Sequence, residues 1–111
     1  WLSPVQARVL PVSEKTNDFG RQVVDRLRSA GLRAELDDSP DKVGAKIRRA
    51  TLDKVPYMLV VGPKEVDAGA VSVRERTAGD LGAMPLDRVV EALAAEVAGK
   101  SLTSLLAKPE G

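Results

Sequence analysis

Ser72, Arg74 and Arg76 occupy alternate positions in a run where Val71 and Val73 take the other parity. An extended strand there presents two guanidiniums on one face. A guanidinium is a planar fork of donors that suits phosphate oxygens and the edges of bases. The competing reading is an exposed strand whose charges discourage edge pairing, and composition alone leaves the two even. A second basic group, Lys42, Lys46 and Arg49, recurs at four- and three-residue steps as on a helix face, with Arg48 off that stripe. Lys42 and Arg49 read better as solvated surface. The adjacent carboxylates Asp37 and Asp38 would point opposite ways at a strand end, which fits a turn or cap better than acid–base catalysis.

Other chemistry is excluded by composition. The chain has no cysteine and no histidine. Disulfides, thiolate nucleophiles, Cys/His zinc sites and a Ser-His-Asp relay cannot be built from it. Net charge is +1 with a pI near 8.3, so any nucleic-acid binding must come from a local patch rather than from bulk charge. Aromatics are limited to Trp1, Phe19 and Tyr57. Phe19 fits a helical core and Tyr57 opens an apolar strand, which leaves hydrogen bonding to a few bases rather than a row of stacking platforms.

The elements that would position these groups are legible in outline. Val5 to Val12 alternates as a strand, and Asp18 to Ala30 carries Phe19, Val23, Val24 and Leu27 at helical spacing before Gly31. Leu32 to Leu36 alternates again. Ser39-Pro40-Asp41 is a helix-start signal, and the helix after it buries Val43, Ile47 and Ala50 and stops before Pro56. Tyr57 to Val61 is an apolar run suited to the middle of a sheet. Gly62-Pro63 and Ala68-Gly69 bracket a turn, Val71 to Arg76 is a strand, and Leu81 to Met84 is a short edge strand. Pro85 then opens a last helix bearing Leu86, Val89, Val90, Leu93 and Val97, and residues 108–111 read as a frayed tail.

This order predicts one α/β domain over residues 1–111. Its form is a three-layer α/β/α sandwich with a mixed, mostly parallel sheet of about five strands and three helices. No apolar run is long enough to cross a bilayer. Opening at Trp1 rather than Met, the chain reads as a piece of a longer polypeptide whose N-terminus lies elsewhere. In such sheets ligands bind at the carboxyl ends of the parallel strands. Here those ends are Ser13-Glu14-Lys15, Asp37-Asp38-Ser39 and Pro63-Lys64-Glu65, and none is a glycine-rich phosphate loop.

Several strings together resemble a family. They are Trp1-Leu2-Ser3-Pro4-Val5-Gln6, Lys46-Ile47-Arg48, Val55 to Gly62, Lys64-Glu65-Val66, Val71-Ser72-Val73-Arg74 and Asp80-Leu81-Gly82. In this order and spacing the chain resembles the C-terminal anticodon-binding domain of bacterial-type threonyl-tRNA synthetases, class II enzymes, from Trp1 to about Leu105. The resemblance implies recognition of the anticodon of threonine tRNA, chiefly its second and third bases, by Arg48, Glu65 and Arg74. Lys46, Lys64, Arg76 and Ser39 are further candidates for that interface. A forked arginine suits guanine O6 and N7, and an ionised glutamate can only accept hydrogens from a base. Anticodon bases are unpaired, so their edges are open to such groups. Where many members carry an arginine and an asparagine at the start of the second helix, this chain has Ser39-Pro40, so one family contact is missing or made differently. Pro85 replaces the usual hydroxyl cap before the last helix.

The same resemblance implies no catalysis and no cofactor in this chain. ATP, Mg2+ and Zn2+ belong to a catalytic domain elsewhere in the polypeptide, and the expected parent is a cytoplasmic homodimer with no membrane partner. Two other readings stand beside it. One is a paralogous domain that lost its anticodon contacts, as Pro40 hints, and serves dimerisation or regulation. The other, a flavodoxin-like small-molecule enzyme, is the weakest because histidine, cysteine and glycine-rich loops are absent.

Overall fold

The computed structural model describes residues 5–75 and 79–97, without the side chains of residues 96 and 97. Strands β1 (Ala7–Pro11), β2 (Ala34–Leu36), β3 (Tyr57–Val61), β4 (Ala70–Glu75) and β5 (Gly79–Pro85) form one sheet in the order β2-β1-β3-β4-β5. β1 pairs in parallel with both β2 and β3, while β4 runs antiparallel to β3 and to β5. The expected mixed sheet of five strands is present.

Alternation along the strands separates two cores. Ala7, Val9, Tyr57, Leu59, Val61, Val71 and Val73 face α1 (Asn17–Ser29) and α4 (Leu86–Val97), where Val23, Leu27, Val89 and Leu93 are buried. Leu10 and Met58 face the other way, against Ala50 and Ile47 of α2 (Val43–Leu52). Helices thus cover both faces, because β1 and β3 carry apolar side chains of both parities. Each well-buried Val or Leu contributes about 1.5–3 kcal/mol through the surface it removes from water. Gly31, at φ 85, takes the left-handed conformation that ends α1, as its sequence position predicted.

Three expectations are corrected. Residues 63–68 are a short helix, α3 (Pro63–Ala68), rather than a turn, which makes four α-helices among the described residues instead of three. Pro63 begins it, Glu65 caps it and Gly69 closes it at φ 64. A six-residue helix shows too little periodicity to register in the sequence. Next, α2 starts at Val43 with Lys42 as its extended N-terminal cap, not at Ser39-Pro40-Asp41. The Ser39 amide donates to Asp37 and both Ser39 and Asp41 accept from Arg49, which holds these residues in a bend ahead of the helix. Finally, the edge strand is longer than expected, and Pro85 is its last residue, opposite Ala70. An edge tolerates proline because no partner needs its amide.

No helix among the described residues is long and apolar enough to cross a membrane. Arg76, the tail from residue 98 and the side chain of Val97 lie outside what is described.

Candidate nucleic-acid interface

The parallel crossovers reverse between β1 and β3: α1 leaves one face of the sheet and α2 the other. The crevice at the carboxyl ends of those two strands is where α/β sheets bind ligands. Pro11 and Val12 end one wall, and Gly62 and the start of α3 end the other.

Arg74 lies opposite Met58, and Ser72 opposite Val60, in the β3–β4 register. Directly paired residues share a sheet face, and Met58 and Val60 belong to the core beneath α2. Ser72 and Arg74 are therefore on the α2 side. That helix packs on β1 and β3, so β4 stays partly open and both residues are only half-buried. The pairing with β5 slips between Val73 and Arg74, a bulge that re-aims the strand beside this face. Arg74 makes no ion pair with any described residue. Asp80, its cross-strand neighbour, directs Oδ1 to the Gly82 amide at 2.8 Å.

Glu65 reaches the same face from α3. Its Oε1 accepts the Gly62 amide at 2.8 Å. Gly62 is extended and continues the parity of Met58 and Val60. A Cβ at Gly62 would meet Glu65 Oε1 at 3.0 Å and Val12 Cγ2 at 3.2 Å, which places the carboxylate on the α2 side. Gly62 lies four residues beyond Met58, about 13 Å at the usual strand rise. Glu65 and Arg74 thus bracket a strip with Ser72 between them.

Arg48 lies on the side of α2 away from the Arg49 flank. Val43, Lys46, Ile47 and Ala50 form the sheet-facing stripe of α2. Arg49 lies on the flank toward β2, where it donates to Asp37 Oδ2 at 2.7 Å and pairs with Asp41. The opposite flank carries Arg48 and Thr51, whose hydroxyl sits 3.9 Å from the Met58 sulfur on β3. Arg48 is exposed and has no partner among the described residues.

The secondary candidates divide. Lys64 is exposed on α3. Ser39 is held between Asp37 and Arg49. Lys46 requires a correction: it is 2% exposed, and its Nζ donates to the Pro11 carbonyl at 2.8 Å. It cannot be part of a surface stripe. Its spacing from Val43 and Ala50 places it on the buried stripe, but its charge put it with Lys42 and Arg49 in the sequence reading.

The acidic turn is structural, as expected. Burial by itself raises the pKa of Asp37, but hydrogen bonds from the Ser39 hydroxyl and amide, with Arg49 alongside, hold its carboxyl below the usual carboxylate range. Arg8 is treated likewise. Burial disfavours its charge, yet Asp53 and Glu35, each at 2.9 Å, keep its pKa above the ordinary value. A cleft of about 510 Å³ lies here, lined by Arg8, Arg28, Glu35, Asp37, Arg49 and Asp53. Arg8 and Arg49 are ion-paired there, and Arg28 donates to the Ala34 carbonyl, so the cleft is internally satisfied.

Residues 6–96 match the family model described as the anticodon binding domain. The chain belongs to that family. As an anticodon-binding domain it is 52% identical to a threonine–tRNA ligase of Caldanaerobacter subterraneus over 102 residues, covering 92% of this chain and 16% of that protein. It is 57% identical to the Thermus thermophilus threonine–tRNA ligase over 82% of this chain and 14% of that protein. The domain therefore spans about a sixth of the length of these relatives. Among solved structures, the RNA binding domain of threonyl-tRNA synthetase from Cryptosporidium parvum superposes with a TM-score of 0.79 at 33% identity, over 86% of this chain and 24% of that one. A histidyl-tRNA synthetase from Nostoc superposes at 0.78 with 19% identity, over 86% of this chain and 23% of that one, a likeness of fold alone.

Proposed function

We propose that this anticodon-binding domain reads the anticodon of threonine tRNA as part of a threonine–tRNA ligase. The reading is supported by Glu65 and Arg74, which lie on one partly open face of the sheet, and by Arg48, which is exposed on the helix packed over that face, none of them in an internal ion pair among the described residues. Arg74 supplies a forked donor for a purine edge, and Glu65 supplies an acceptor for amino or imino hydrogens. Ser72 lies on the floor between them. Lys64 and Arg76 are secondary contacts in this reading.

Attachment of the amino acid then belongs to a catalytic domain elsewhere in the same polypeptide. In this reading that domain holds the ATP, Mg2+ and Zn2+ sites. The parent is proposed to be a cytoplasmic homodimer.

A titration with transcribed tRNAs at moderate salt tests the reading. Threonine tRNA is expected to bind more tightly than the same tRNA with its second or third anticodon base changed. Equal affinities would remove specific reading.

A further inference from the structure

We propose that Lys46 is a positioning residue, a buried clamp that fixes Arg48 over the reading strip, an inference that rests on the anticodon reading above. Lys46 is 2% exposed, yet no carboxylate among the described residues lies within ion-pair reach of it. Among the described residues its side chain has one hydrogen bond, from Nζ to the carbonyl of Pro11, at 2.8 Å. An ammonium carries three donors, and burying it without a counter-charge is costly. An apolar side chain of similar length would avoid that penalty beneath a helix whose sheet-facing cluster is apolar. Core packing therefore does not account for lysine here.

Its location does. Pro11 is the last residue of β1, at the crevice where the crossovers reverse. Lys46 thus ties the N-terminal half of α2 to the carboxyl end of the sheet. That half needs a tie, because residues 37–42 ahead of α2 form no helix or strand and Val43 is only half-buried. The helix is also held by the packing of Ile47 and Ala50 against the sheet, by Arg49 on the β2 side and by the Arg8–Asp53 bridge at its far end. Neither polar tie lies on the flank that carries Arg48, where Thr51 meets the Met58 sulfur, and Lys46 is the polar tie in the N-terminal half of the helix. A small rotation of α2 would shift Arg48 relative to the sheet while leaving the fold intact.

The experiment uses K46M, R48A and the double variant, titrated with a threonine anticodon stem-loop and with the same loop altered at one anticodon base. K46M should stay folded by thermal melt and bind the cognate loop about tenfold more weakly, with reduced discrimination. Its salt dependence should be unchanged, since Lys46 meets no phosphate. In the R48A background K46M should add no further loss. Wild-type affinity for K46M, an equal loss without Arg48, or a salt slope smaller by about one would each overturn the proposal. If K46M does not fold, K46Q, a shorter neutral donor, is read by the same outcomes. If the parent chain shows no anticodon preference, it is the functional reading that has failed. Amide exchange then decides the clamp: faster exchange at residues 43–50 in K46M supports it, and unchanged exchange overturns it.

Discussion

The Gly62 amide donates to Oε1 of Glu65 at 2.8 Å, so the carboxylate is held by the first turn of its own helix before any ligand arrives. This bond satisfies an amide that the helix leaves open and aims an acceptor over the carboxyl end of β3. A glutamate fixed in this way loses little side-chain freedom on binding, which favours affinity.

Gly62→Ala should disturb that arrangement directly. The added methyl would stand 3.0 Å from Glu65 Oε1 and 3.2 Å from Val12 Cγ2, so the flexible glutamate gives way first. The expected outcome is a loss of about 1 kcal/mol in stability, from a damaged cap and local overpacking, together with weaker RNA binding. Chemical unfolding and stem-loop titration measure the two. Undiminished affinity in a destabilised variant would remove Glu65 from the interface.

Arg74→Ala should keep the fold, because the side chain is half-open and has no ion pair among the described residues. Discrimination at one anticodon base should fall by about 1–3 kcal/mol. Arg74→Lys should recover little of it, since an ammonium lacks the planar fork. Affinities for base-substituted loops give the answer, and a uniform weakening across all of them would mean a phosphate contact instead.

Arg48 and Arg49, adjacent in sequence, should separate by phenotype. Arg49→Ala breaks the links to Asp37 and Asp41, so it should lower the melting temperature and leave base discrimination intact. Arg48→Ala should do the reverse. Melting curves and loop titrations on the two variants are sufficient, and identical profiles would contradict the division of α2 into two flanks.

Asp37 predicts a pH dependence. Its folded carboxyl lies below the ordinary value of about 3.9. A group with a depressed folded pKa adds stability above its unfolded pKa, and that stability is lost as pH falls through the folded value. The parent should therefore weaken below about pH 4 more steeply than Asp37→Asn. Urea midpoints collected across that range test it, and parallel curves would assign the acid sensitivity to other carboxylates.

Much of the fold was legible along the chain. Alternation in β1, β3 and β4, the helical stripes of α1 and α4, and Gly31 at a helix end are local signals that packing did not override. The pairing of Ser72 with Arg74 on one face was also readable, since strand parity is fixed once the strand is placed. The start of α2 was not, because Arg49 reaches back ten residues to Ser39 and keeps that promising cap out of the helix. The α3 helix was missed for its length.

By itself, the sequence determined the layers, the strand faces and the chemistry available, because each depends on neighbours within a few residues. Tertiary structure alone decided which cations remain free to meet a ligand. Lys46, Arg48 and Arg49 are indistinguishable as positive charges on one helix, yet one is buried on a carbonyl 35 residues away, one stands exposed and one is ion-paired. Charge is local to the residue; its availability depends on what the folded chain brings within about 4 Å of it.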